Sequence, residues 1–386
     1  MVTYPMDWEE KSIDQAADRY DRLRIPVASI LRRKGKTPYY GANGVLDYID
    51  GYTHDGEFVL IAEDGANDLK RYPIHYVNGK VWVNNHAHVL KGKNGVVNTK
   101  FLSYVLRKVD FESILVGGTR VKLNSKSLMN IVINIPKYSE QKEIAKTLSD
   151  FDTYINDLEK LIEKKKSIRE GALKDLLTGR TIIKGFEGGR AKYCIEEITN
   201  SIITGGTPST MHREYYGGDI PWLSSTEIHQ KLIVRPTTYI TEMGLQNSSS
   251  KIAPADSVLI ALAGQGKTRG TAAYLTSPMA ISQSLAALVT SDKCNPKFLY
   301  YLIESMYFDL RELSSGDGGR GGLNKTLIKK VKVNIPTDIV EQTEITKTLQ
   351  SMDDEIENLE LERDKIIQIR DGAMDDLLTG RIRLTD

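Results

Sequence analysis

The decapeptide "GALKDLLTGR" at residues 171–180 recurs as "GAMDDLLTGR" at 372–381, with eight of ten letters the same. The likeness extends outward. "NIPKYSEQKEIAKTLSDFDTYINDLEKLIEKKKSIREGALKDLLTGR" (134–180) aligns with "NIPTDIVEQTEITKTLQSMDDEIENLELERDKIIQIRDGAMDDLLTGR" (334–381) once one residue is inserted after the proline. Upstream, "FVLIAEDG" (58–65) matches "SVLIALAG" (257–264), and "KFLSYVL" (100–106) matches "KFLYYLI" (297–303). "LNSKSLMNIVINIP" (123–136) matches "LNKTLIKKVKVNIP" (323–336). The chain is one unit written twice, and a period of about 200 residues is that of tandem domains, not of a solenoid.

Each copy reads as a globular part followed by a long helix. In the first helix, Ile144, Leu148, Phe151, Ile155, Leu158 and Ile162 step by four and three, a heptad seam. The second repeats it with Ile345, Leu349, Met352, Ile356 and Leu359, is interrupted at Arg363, and resumes at Ile366. The helices are predicted to run from just after Pro136 and Pro336 to Gly179 and Gly380, which cap them. Gly171 and Gly372 lie inside them, a cost of about 1 kcal/mol each relative to alanine. The expectation is that another backbone approaches closely there. A seam needs a partner, and two equivalent helices most simply pair with each other. An antiparallel pairing is expected, with one globular part at each end and an internal pseudo-two-fold. The competing arrangement packs each helix only on its own domain.

The fold class expected is therefore α+β, with two mixed α/β domains separated by a pair of long antiparallel coiled-coil helices. The boundaries read as 1–136, 137–183, 184–336 and 337–386. Strands are expected at Phe58–Ala62, Gly79–Val83, Met129–Ile135, Val258–Ala263 and Ile328–Ile335.

The net charge of +1 conceals an uneven spread. Residues 337–378 carry thirteen Asp/Glu against four Lys/Arg, whereas 137–177 balance at nine of each. The remainder is accordingly basic, which suits a polyanionic partner or plain solubility. Cys194 and Cys294 stand far apart, which argues against a disulfide scaffold or a thiolate metal site. The N-terminus has no signal-like apolar run, and no window supplies the ~18 apolar residues of a membrane span. A cytoplasmic protein without a membrane partner is expected.

Catalytic motifs are scarce. "LIALAGQGKT" (259–268) ends in Gly-Lys-Thr, but the glycine a phosphate loop needs is replaced by Ala261, and "RGTAAYL" reads as a strand rather than a helix. An NTP-dependent enzyme using Lys267 and Thr268 is thus a weak alternative. "NHAH" (85–88) sets two histidines on one strand face with no Cys or carboxylate cluster expected nearby, a poor metal site. "NIP" lacks the second proline and the aromatic of an amino-methyltransferase motif. No Rossmann fingerprint, Gly-x-Ser-x-Gly elbow or nuclease carboxylate cluster is found. The expectation is a chain that catalyses nothing and holds no metal or cofactor.

What remains are basic, aromatic, glycine-bearing loops at matching places in the two copies. The first copy has "RRKGKTPYYGANG" (32–44), "DLKRY" (68–72) and "GGTRVKLN" (117–124). From these, Arg33, Lys34, Lys36, Tyr39, Tyr40, Asn43, Lys70, Arg71, Arg120, Lys122 and Asn124 are candidate DNA contacts. The second copy has "TGGTPST" (204–210), "GDIPWLSS" (218–225), "GQGKTRG" (264–270) and "SSGDGGRGGLNK" (314–325). Its candidates are Thr207, Ser209, Trp222, Gln265, Lys267, Arg269, Arg320, Asn324 and Lys325. Lys and Arg hold phosphate or guanine, Asn and Gln can read adenine, and glycine admits backbone close to phosphate. For any single loop a solvated turn is the competing reading. Between "TP" and "VLIA" the second copy is about 29 residues longer, which fits two readers of different texts.

The segments "YYGANGVLDYIDGY" and "VLIAEDG", then "GGTPST…YYGGDIPWLSSTEI", and "NIP…EQ.EI..TL…LLTGR" in both halves resemble the DNA specificity subunit of type I restriction-modification systems. The resemblance covers nearly the whole chain. It implies two target recognition domains, each reading half of a bipartite double-stranded DNA target, and a helical rod that sets the gap. It also implies two methyltransferase subunits bringing S-adenosylmethionine, and restriction subunits bringing ATP- and Mg-dependent cleavage. A coiled-coil scaffold, or another DNA-binding protein without restriction partners, is the alternative. One departure is that the first twenty or so residues have no visible counterpart in the second half.

Overall fold

The computed structural model describes residues 3–116, 121–264, 266–314 and 322–384. It divides into two compact units, Met1–Lys160 with Glu360–Asp386, and Leu161–Leu359. Each unit holds one globular part and half of each long helix.

The first unit contains strands β1 (Glu9–Ser12), β2 (Ala17–Arg19), β3 (Lys34–Gly41), β4 (Gly44–Ile49), β5 (His54–Ala62), β6 (Ile74–Val83), β7 (Ala87–Gly92) and β8 (Val132–Ile135). Its short helices are α1 (Ile13–Ala16), α2 (Thr99–Leu106) and α3 (Ser125–Met129), followed by the long α4 (Tyr138–Thr178). Six strands form one sheet in the order β2-β7-β5-β6-β3-β4, and β1 pairs with β8. The run "VLIA" (59–62) is wholly buried because both faces of β5 are covered. Val59 and Ile61 pack toward Phe101 and Leu102 of α2, whereas Leu60 joins Phe58, Val77 and Val89 on the other side. This is the period-two alternation of a strand buried on both faces.

The second unit contains β9 (Arg190–Cys194), β10 (Thr199–Thr204), β11 (Tyr216–Leu223), β12 (Leu232–Ile233), β13 (Thr238–Ile240), β14 (Lys251–Ala253), β15 (Val258–Ala261), β16 (Ala272–Leu275), β17 (Met279–Ile281), β18 (Leu285–Thr290) and β19 (Lys332–Pro336). Its helices are α5 (Glu242–Gln246), α6 (Pro296–Ser305), α7 (Tyr307–Leu313), α8 (Lys325–Lys329) and the long α9 (Ile339–Leu377). The order β10-β18-β15-β16 reproduces β2-β7-β5-β6, and β19-β9 reproduces β8-β1. Val258 and Ile260 pack toward Phe298 of α6, and Leu259 and Ala261 face away, as in the first copy. The longer segment before β15 supplies β11, β13 and β14, which form a separate four-stranded sheet with the later β17 in the order β13-β11-β17-β14.

Two expectations are corrected here. The N-terminal residues do have a counterpart: β1 pairs antiparallel with β8 as β9 pairs with β19, and β2 edges the large sheet as β10 does. "EEKS" and "RAKYC" share almost no letters because the pairing is carried by backbone hydrogen bonds. The strands expected from Met129 and Ile328 begin only at Val132 and Lys332. Asn124 and Asn324 first cap one-turn helices by accepting from the Ser127 and Leu327 amides.

The long helices run as expected and end in left-handed glycines, φ +77° at Gly179 and +72° at Gly380. Within the first unit, Asp152 and Tyr154 of α4 meet Arg370 and Glu362 of α9. Within the second, Lys165 and Arg169 meet Glu355 and Asp353. Partner numbers fall as α4 numbers rise, so the pair is antiparallel in both units. Leu148, Ile155, Leu158, Ile162, Leu349 and Ile356 of the seam are buried; Phe151, Met352, Leu359 and Ile366 are half-buried. At the helix ends the seam enters the domain cores. Ile144 and Leu148 join Met374, Leu377 and Leu378, while Ile345 and Leu349 join Leu173, Leu176 and Leu177.

Gly171 and Gly372 behave differently from expectation. An added Cβ at either would meet nothing within 4 Å, so no other segment among the described residues approaches them.

The repeated "EQ" has a structural reason. Gln141 accepts from the Asn98 amide at 2.9 Å and donates to the Val96 and Pro136 carbonyls at 3.0 and 2.9 Å. Gln342 does the same with Asn295, Lys293 and Pro336 at 2.8, 3.0 and 2.8 Å. Each glutamine ties the start of its long helix to the loop that opens the domain's own helix. Beside it, buried Glu140 receives a bidentate pair from Arg383 at 2.8 Å per bond, and Arg383 also holds Asp7.

Candidate nucleic-acid interface

Hydrogen bonds gather the singled-out loops of the first copy. The Asn43 side chain donates to the Gly65 carbonyl at 2.9 Å and accepts from the Asn67 amide at 3.0 Å. Asp64 bridges to Lys122, and the Leu123 amide donates to the Glu63 carbonyl. The β3–β4 turn, the 63–71 loop and residues 122–124 therefore converge. Lys70 and Arg71 are exposed, and their amides are both held by Asp68 Oδ1. Arg33, Lys34 and Lys36 are exposed too, but Lys34–Gly41 is a strand rather than the loop expected. Strand pairing fixes the direction in which those cations project.

Five candidates of this copy change role, Lys122 among them. Tyr39 is 1% exposed, and its hydroxyl accepts from the Val27 amide with the Arg32 guanidinium 4.3 Å above the ring, so it is core. Tyr40 is half-buried beside His75, and burial raises its hydroxyl pKa. Asn124 is spent as a helix cap, and Asn43 as a loop clasp. Arg120 lies outside the described residues, as do Gln265 and Arg320 of the second copy.

Under these loops sits a charged network that sequence reasoning missed. Buried His88 contacts Asp21 Oδ2 through Nδ1 at 2.7 Å and the Leu123 carbonyl through Nε2 at 2.8 Å. Arg24 reaches Glu63 at 2.6 Å, and Lys122 reaches it at 2.7 Å. Burial pushes the carboxyls of Asp21 and Glu63 upward. The hydrogen bonds from His88 and the Val89 amide outweigh this at Asp21, as those from Lys122 and Arg24 do at Glu63, so both end below the usual range. Carboxylates thus do lie near "NHAH", contrary to expectation, because Asp21 and Glu63 are distant only in sequence. Ligand atoms of Asp21, Glu63 and His88 fall within 4.8 Å of one another. Arg24 and Lys122 occupy the carboxylates' charge, so the cluster reads as an ion-pair network anchoring residues 20–24 and 122–123 to β7. It also makes Lys122 a brace rather than a reader.

The second copy is assembled alike. Thr207 donates to Gln283, and the Leu262 amide donates to the Ser284 carbonyl, which brings residues 204–210 beside the loop after β15. That loop is braced from three sides. His229 contacts Thr268 at 3.1 Å, Tyr307 donates to the Lys267 carbonyl at 2.9 Å, and Arg311 donates to the Gly266 carbonyl at 2.8 Å. Arg269 turns inward to Ser314 at 3.4 Å. Lys267, Thr207, Ser209 and Lys325 are exposed. Trp222 is 8% exposed, with its indole N–H donating to the Gly206 carbonyl, and Asn324 is a helix cap; both leave the candidate surface. β15 and β16 form an antiparallel pair around this loop, so the helix a phosphate loop requires does not follow.

Exposed Tyr48, and Tyr52 with the Lys80 ammonium 4.7 Å above its ring, add an aromatic and cationic surface near β4. The only signal for it was the aromatic spacing in "DYIDGY". No helix among the described residues is long and apolar enough to cross a membrane.

The arrangement defines a duplicated protein in which two braced loop clusters, different in letters, ride on the same scaffold. The chain matches the type I restriction modification DNA specificity domain twice, at residues 5–170 and 189–369, and belongs to that family. A putative type I restriction enzyme specificity subunit of Haemophilus influenzae is 48% identical over 140 residues, 36% of each chain. The MjaVIII specificity subunit of Methanocaldococcus jannaschii is 26% identical over 98% of this chain and 94% of that one. The crystal structure of a type I restriction-modification S subunit from M. genitalium superposes with a TM-score of 0.70 at 18% identity, covering 98% and 97% of the two chains. A structure described as bearing on complex assembly and conformational transition of the type I R-M system gives 0.56 at 16% identity, covering 99% of this chain and 100% of that one.

Proposed function

We propose that this chain is the non-catalytic recognition subunit of a type I restriction-modification complex. Each globular part reads one half of a bipartite duplex, and the helix pair sets the gap between halves. The observation that carries this is the split between what repeats and what does not. The glutamine clasps, the buried "VLIA" strands and the glycine caps recur letter for letter. The exposed loops differ, and the stretch between "TP" and β15 is about 29 residues longer in the second copy, where it carries β11 to β14. Duplicated scaffold with diverged surface is what two readers of different sequences require.

Two methyltransferase subunits supply S-adenosylmethionine and the transfer chemistry, and restriction subunits supply ATP- and Mg-dependent cleavage. Gly171 and Gly372, open at equivalent places on the two helices, offer matching bare patches to two equal partners. The complex works in the cytoplasm.

The test uses the chain assembled with its methyltransferase subunit on a duplex carrying both half-targets. Lys267→Ala removes an exposed cation from a braced loop of the second copy. It is expected to weaken binding several-fold and to reduce the slope of log affinity against log salt by about one. Base preference in the other half should stay as it was. Equal loss of preference in both halves would count against independent readers, and unaltered affinity and salt slope would remove that loop from the interface.

A further inference from the structure

The two copies share a second attachment between domain and rod. In the first unit, Tyr104 of α2 donates to Asp152 Oδ2 at 2.8 Å, and Arg370 of α9 donates to Asp152 Oδ1 at 3.1 Å. In the second, Tyr301 of α6 donates to Asp353 Oδ2 at 2.8 Å, and Arg169 of α4 donates to Asp353 Oδ1 at 2.9 Å. Each aspartate thus joins three elements, its own long helix, the domain's helix and the opposite long helix. Tyr104 is 1% exposed and Tyr301 5%. Burial first, then the adjoining carboxylate, raises both phenols above their ordinary range, so each remains a donor.

The spacing matters as much as the contacts. Asp152 follows the clasp residue Gln141 by eleven positions, and Asp353 follows Gln342 by eleven. Eleven residues are three turns of helix, so clasp and aspartate lie on one face about 16 Å apart. The two polar attachments flank the apolar contacts of Ile144 and Leu148, or Ile345 and Leu349, and their directional bonds leave the domain one seating on the helix. The nodes differ in charge. Arg107 stands 3.6 Å from Asp152, whereas the matching residue of the second copy is Glu304, which pairs with Arg169 at 2.7 Å. The first node is one carboxylate between two cations, and the second is one cation between two carboxylates.

We propose that Asp152 and Asp353, each with its tyrosine and the arginine of the opposite helix, are positioning residues that fix each recognition domain's seating and thereby the gap accepted between the half-targets. This rests on the reading of the chain as a bipartite-target subunit. The experiment measures initial methylation rates of the chain with its methyltransferase subunit and S-adenosylmethionine. Its duplexes carry the preferred gap, or one base pair more or fewer. Tyr104→Phe and Asp152→Ala should each reduce discrimination between gaps by about tenfold, the scale of one hydrogen bond to a charged group. Preference for the bases within each half should be unchanged, and Asp152→Glu should restore part of the discrimination. Unaltered gap discrimination in the assembled variants would overturn the proposal. If Asp152→Ala does not assemble, Tyr104→Phe, which removes a single oxygen, decides alone. An unmodified complex that methylates no bipartite target would instead overturn the underlying reading, and the positioning role with it.

Discussion

Replacing Gln342 by leucine is expected to lower the stability of the second unit by about 3–5 kcal/mol, because three backbone groups, one buried and two half-buried, lose their partner at once. The side chain is wholly buried and holds one amide and two carbonyls. Leucine has similar bulk, so the loss is polar rather than a cavity. Each unsatisfied group costs about 1–3 kcal/mol, and water entering the site returns some of it. In a unit of this size, that is a fall of roughly 10 °C in its unfolding transition. Calorimetry of the full chain checks it, since two units can unfold in separate transitions. Gln141→Leu should move the other transition. A loss below about 0.5 kcal/mol in both variants, the ordinary range for a surface change, would contradict the clasp.

Arg169→Met should cost about 2–4 kcal/mol in the same unit. Arg169 is 9% exposed and stands between Asp353 and Glu304. Burial alone would disfavour its charge, but the two carboxylates more than compensate and drive its pKa upward. Removing the cation leaves like charges facing each other. Breaking a buried pair typically costs 3–5 kcal/mol, and the figure is reduced here because the Asp353 side chain is about one-third exposed, 34%, and partly screened. The double change Arg169→Met with Glu304→Gln should recover part of the loss, since it also removes the repulsion. Urea titration of the unaltered chain, both single variants and the double variant measures this. Additive losses would show that the arginine acts by packing alone.

The parts of the fold visible in the letters are those governed by neighbours along the chain. The heptad steps of Ile144 to Ile162, the glycine stops at 179 and 380, and the apolar "VLIA" runs each depend on residues a turn or two away. Sheet order does not. The likeness of β1 to β9 is invisible in sequence because strand pairing uses backbone groups that every residue possesses. The same limit explains the site. Asn43, Asn124, Trp222 and Asn324 are residue types suited to DNA, yet all four are occupied in holding their own chain. For Asn43 and Trp222 only the three-dimensional neighbours Gly65 and Gly206 reveal that, whereas Asn124 and Asn324 cap amides three residues along the chain. The network of Asp21, Arg24, Glu63, His88 and Lys122 draws on four separated segments, so no spacing rule could find it. Conversely, the shared "EQ" was legible as a repeat but not as a clasp, since its partners lie about 45 residues upstream.

Methylation profiling of DNA exposed to the complex, before and after exchange of residues 184–336 for the matching segment of a relative, tests the central claim most directly. With both long helices kept, one half of the methylated target should change, while the other half and the gap stay fixed. Change in both halves, or methylation indifferent to base order, would contradict the account of two independent readers on one scaffold.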